Sequence, residues 1–150
     1  MELIFNPSAL LNLAPELILT ALVCGVILID LFVPRDKKHI LGIVSLIGLA
    51  VVLLVSWHLR PGDQSLLLFG GMVALDNFAL YFKLVFILVV SLVIAISLKY
   101  LPIEDINLGE YYGMLLFATL GMILMAASTD LVSIYLSLEL MSLSIYILAG

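Results

Sequence analysis

The stretch from Asn77 to Lys99, NFALYFKLVFILVVSLVIAISLK, carries a single charge between its ends, Lys83. A hydrocarbon core of ~30 Å takes about 20 helical residues at ~1.5 Å of rise each. The sequence from about Phe78 to Leu98 has that length, follows a good N-cap pair in Asp76-Asn77, and closes at Lys99-Tyr100 and Pro102. It reads as a membrane-spanning helix.

Four similar stretches surround it. The first runs from about Pro15 to Val33, with Asn12 upstream, Pro15 suited to a first turn, Glu16 favoured by the helix dipole and Pro34 beyond its end. The second covers 40–57, with Trp57 and His58 at the membrane edge and Arg60-Pro61-Gly62 after it. The others cover 110–127 and, after Asp130, 131–150. The expected fold is therefore all-α: a polytopic transmembrane bundle of about five helices forming one membrane region over 1–150. Leu148-Ala149-Gly150 offers no polar anchor where the last helix would leave the bilayer, so a longer chain is expected.

Residues 65–75 are too short to span. Gly70-Gly71 at their centre permits positive φ, and a small β-hairpin on the outer face is expected between helices 2 and 3. A short re-entrant or interfacial segment is the competing reading. Arg35, Lys37 and Lys38 lie between helices 1 and 2, and Lys99 follows helix 3, whereas the loop after helix 2 holds only Arg60. Positive-inside bias then puts the first and third loops in the cytoplasm and the N-terminus outside.

Composition agrees. Hydrophobic residues make up 65% of the chain, charged residues 11%, and the mean hydropathy is +1.32. That leaves too little polar surface for a soluble domain and too much apolar surface for disorder. No basic patch interleaved with aromatics points to nucleic acid. The one cysteine, Cys24, excludes an internal disulfide and reads as a packing residue. His39 and His58 have no second imidazole at ligand spacing, and no glycine-rich nucleotide loop follows a strand. Met1-Glu2 opens without the basic segment of a signal peptide.

Glu139 carries the chemical interest. It lies about 13 Å along its helix from Asp130, close to the middle of a ~30 Å core, where a carboxylate is costly and commonly serves an ion or proton path. Tyr135, Ser142 and Tyr146 share its face, and this polar stripe is expected to turn inward in an antiparallel pair with helix 4. A structural glutamate, hydrogen-bonded or protonated, is the plainer alternative. Lys83 is a second candidate, either snorkelling to the interface or lying beside a water path. Asp30 is placed to meet Arg35 or the headgroups, Asp130 to cap helix 5, and Glu104, Asp105 and Glu110 to form a solvated loop. Ala118 and Gly121 offer a close helix approach.

The segment Leu138-Glu139-Leu140-Met141-Ser142-Leu143-Ser144, with Tyr146 and Ala149-Gly150 after it, resembles the fifth helix of the antiporter-like membrane subunits of bacterial respiratory complex I. Leu138 stands where the L and M branches and the sodium/proton antiporters tend to carry tryptophan, so the resemblance is nearest to the N branch. Pro15-Glu16, Asp30-Leu31-Phe32, Asp76-Asn77-Phe78 and Glu110-Tyr111-Tyr112 agree less sharply. The resemblance implies a chain of about fourteen helices, of which these are the first five. It implies that Glu139 pairs with a lysine on helix 7, beyond Gly150. It also implies proton movement driven by NADH-to-quinone electron transfer, with NADH, FMN, iron–sulfur clusters and quinone held by other subunits and none by this chain. A cation/proton antiporter subunit and a purely structural membrane subunit remain alternatives.

Overall fold

The computed structural model describes residues 11–34, 37–60, 65–104 and 108–150. The described residues form five helices: α1 (Ala14–Asp30), α2 (His39–His58), α3 (Asn77–Glu104), α4 (Leu108–Ala127) and α5 (Leu131–Ala149). A two-stranded antiparallel hairpin, β1 (Leu66–Leu68) and β2 (Val73–Leu75), joins α2 to α3. Four helices are long and apolar enough to cross a membrane; α1, at 17 residues, is the shortest of the five.

Each boundary has a local cause. Pro15 sits in the first turn of α1, where its missing N–H removes no helical bond. The Asp76 carboxylate accepts from the Ala79 N–H at 2.7 Å and starts α3. Asp130 adopts an extended conformation and accepts from the Val132 and Ser133 N–H groups, starting α5. α3 does not stop before Pro102 as the sequence suggested but continues to Glu104. Proline's fixed φ is itself helical, and so late in a helix it removes only one hydrogen bond. The acidic loop is correspondingly shorter. Glu104 ends α3 and Glu110 lies in the first turn of α4, while Asp105 and Arg35 fall outside the described residues.

α4 forms the centre of the bundle. Its Tyr112, Leu116, Leu120 and Ile123 meet Leu19, Val23 and Val26 of α1, Leu41, Leu49 and Val52 of α2, and Ile87, Val90 and Ile94 of α3 in one continuous core. The outer faces are equally apolar, with Ile47, Leu54 and Ile96 each more than half exposed. Hydroxyls inside this shell turn back on their own helices. Ser45, Ser56, Thr119, Ser137 and Ser144 each donate to the carbonyl four residues earlier. In hydrocarbon every polar group needs such an internal partner. Cys24 is exposed on α1 rather than packed in the core, because Val23 and Val26 take the inward positions.

The hairpin has Leu66 opposite Leu75 and Leu68 opposite Val73. Gly70 (φ 68°) and Gly71 (φ 94°) make the left-handed turn, and Phe69 joins them at φ 53°. The hairpin is fastened to the α4–α5 turn: the Thr129 N–H donates to the Met72 carbonyl at 3.0 Å, its hydroxyl donates to the Gly71 carbonyl, and Val73 pairs with Ser128. The α2–α3 and α4–α5 connections therefore share one side of the bundle.

Candidate functional site

α4 and α5 form the expected antiparallel pair. They meet at Gly121, where an added Cβ would lie 2.8 Å from the Met141 nitrogen and 2.9 Å from the Ser137 carbonyl oxygen. The face of α5 that makes this approach carries Ser137 and Ser144, both buried. Glu139 is two residues beyond Ser137, about 200° round the helix. It consequently turns away from α4 instead of into the pair. The α5 backbone at Ser137 and Met141 itself occupies the space against Gly121, which fixes this side of α5 as the contact face.

Glu139 is half-buried, and Tyr135 and Tyr146 on the same side are 63% and 68% exposed. The Ser142 hydroxyl donates to the Glu139 backbone carbonyl at 3.1 Å. No cation reaches the Glu139 carboxylate among the described residues. The polar stripe read from the sequence is thus present as a stripe, on a face that the four other helices leave open.

Lys83 does not snorkel. Its side chain is buried, and the ammonium meets the Glu16 carboxylate, itself buried near the start of α1. Glu16 was read only as a favourable first-turn acid. Depth counting could have paired the two. Odd-numbered helices of an alternating bundle run the same way, so Glu16, early in α1, and Lys83, six residues into α3, lie at similar depths. At the opposite side of the bundle Asp30 meets Lys38 at 2.9 Å, tying the end of α1 to the start of α2. Trp57 is capped by the Arg60 guanidinium, 3.2 Å above its ring, as suits a membrane-edge anchor.

No family model matches the chain. It is 41% identical over 150 residues to NADH-quinone oxidoreductase subunit N of Trichlorobacter lovleyi, covering 98% of this chain and 30% of that protein. The subunit N of Dehalococcoides mccartyi is 43% identical over 139 residues, covering 91% and 28%, and that of Chloroflexus aggregans 40% identical over 150, covering 99% and 30%. The chain belongs to the subunit N family. It spans about 30% of the length of these curated relatives and corresponds to their N-terminal portion. Family membership and the apolar helices together make it a multi-pass membrane protein. Within subunit N, the segment from Asp130 to Gly150 that carried the resemblance is α5 together with its cap.

Proposed function

We propose that the chain takes part in proton translocation as the N-terminal portion of a subunit N within an NADH:quinone oxidoreductase of the bacterial inner membrane, its N-terminus outside. Electron transfer from NADH to quinone belongs to the other subunits, which hold the redox cofactors. Glu139 is the group that gains, holds and loses the proton. The observation that carries this reading is the carboxylate's position: eight residues into α5, about 12 Å deep, on a face without a cation among the described residues. An ionised group at that depth needs a partner, and the open stripe of Tyr135, Ser142 and Tyr146 gives one room to approach. The family resemblance supplies that partner as a lysine farther along the chain. Closing the pair favours the carboxylate, and opening it favours the acid, so a movement of the lysine loads or releases a proton.

The test uses the complete subunit in its complex. Glu139→Gln keeps shape and hydrogen bonding but cannot ionise, so the number of protons moved per electron falls while the complex still assembles. Glu139→Asp, one methylene shorter, keeps part of the ratio. A wild-type ratio and quinone reductase rate in the glutamine variant would make Glu139 a structural residue.

A further inference from the structure

The Glu16–Lys83 pair is the most deeply enclosed charge in the described bundle, with side chains 7% and 6% exposed. Stability does not account for it, since apolar residues of similar size at a buried ion pair are often neutral or better. Charges inside a membrane bundle more commonly mark a path for ions or protons. Two further observations bear on which.

Lys83 lines a small cavity whose other polar walls are Asn12, Ser56 and Asp76. About 20 Å³ is open to the centres of water molecules, enough for one ordered water. The ammonium has three donors and lies against one Glu16 oxygen, and neither Glu16 oxygen has a hydrogen-bond partner among the described residues. The cavity also lies beneath the hairpin, with Leu66 and Leu75, opposite each other in the strand register, among its walls. Asn12 and Asp76 precede α1 and α3, so the cavity sits at the hairpin end of the bundle and the ion pair lies on its inner side.

We propose that Glu16 and Lys83 form a second protonatable site, separate from Glu139, which exchanges protons with water on the hairpin side through this cavity. The proposal rests on the reading that the subunit carries protons. A hydronium in the cavity gives its proton to Lys83 as Lys83 passes one of its own to the Glu16 carboxylate. The products are water, an ammonium and a neutral carboxylic acid, and the pair has changed from net zero to +1. Reversal returns the proton to the same side or, when a neighbouring group takes it, passes it onward. Asp76 is the other titratable group lining the cavity; its side chain accepts from the Ala79 N–H.

The experiment compares the complete complex in membranes with three variants: Glu16→Gln/Lys83→Met, which removes both charges together, Ala79→Val, which fills the cavity and leaves the pair intact, and Glu139→Gln. Infrared difference spectra between acid and neutral pH are recorded with the proton-to-electron ratio. The expected result is a protonated-carboxyl C=O band that shifts in D2O and is lost in the double variant, with a lowered ratio in both the double variant and Ala79→Val. An unchanged band in the double variant, or a wild-type ratio in Ala79→Val, overturns the proposal. Should the double variant not assemble, Ala79→Val decides alone. A lowered ratio in Glu139→Gln with wild-type ratios in the other two removes this site only. The converse leaves this site standing and removes the role of Glu139.

Discussion

Glu16 and Lys83 show how the value of a charged residue in a bilayer depends on what lies within reach of it. Removing one member leaves the other buried and unpaired, at a cost of about 3–5 kcal/mol. Lys83→Met alone and Glu16→Gln alone are therefore expected to lower the amount of assembled subunit, whereas the double variant recovers it; immunoblots of membranes after detergent extraction read this directly. Equal loss in all three would mean that the pair is not the reason for the loss. Glu139 stood out as a candidate in the sequence because a carboxylate amid Leu, Met and Ser breaks a greasy helix. The Lys83 partner was not, because Glu16 also satisfies the ordinary preference for an acid in a first turn. A residue that suits a local rule gives no sign of its tertiary role.

Helices and their caps were legible for a different reason. Length, Asp76 and Asp130 act locally, and the chain follows them. The hairpin was legible through Gly70-Gly71, but its attachment to the Ser128-Thr129 turn joins residues far apart in sequence and left no local mark. The direction of the Glu139 face was misjudged because hydropathy cannot say which side of an all-apolar helix meets its neighbour; the contact of the α5 backbone with Gly121 decided it. Gly121 tests that packing. Its Cβ would strike backbone atoms of α5, which cannot swing aside, whereas at Gly113 it would meet the Ile27 side chain at 2.9 Å. Gly121→Ala is thus expected to destabilise by about 1–3 kcal/mol and Gly113→Ala by less. Thermal unfolding of the purified assembly, followed by loss of soluble subunit, ranks the two; the opposite order would remove the close α4–α5 approach. Asp130→Ala forfeits the α5 cap, about 1 kcal/mol, and Asp130→Asn retains most of it.

At the scale of the whole molecule, the bundle is an alternating stack of crossings. The hairpin, the α4–α5 turn and the start of α1 lie at one end, and the end of α1, the start of α2, the end of α3 and the start of α4 at the other. Counted from the hairpin end, Lys83 lies about 9 Å and Glu139 about 12 Å along their helices. The basic residues Lys37 and Lys38 belong to the far end, which positive-inside bias assigns to the cytoplasm. All of this depends on five crossings, including one by the short α1. Single cysteines at Leu11, Lys37 and Ser65, placed in a Cys24→Ala background of the complete subunit, test it with a membrane-impermeant thiol reagent. Positions 11 and 65 should label from the outside of intact cells, and position 37 only after permeabilisation. Labelling of position 37 from outside, or of 11 and 37 from the same side, would contradict the five-crossing bundle.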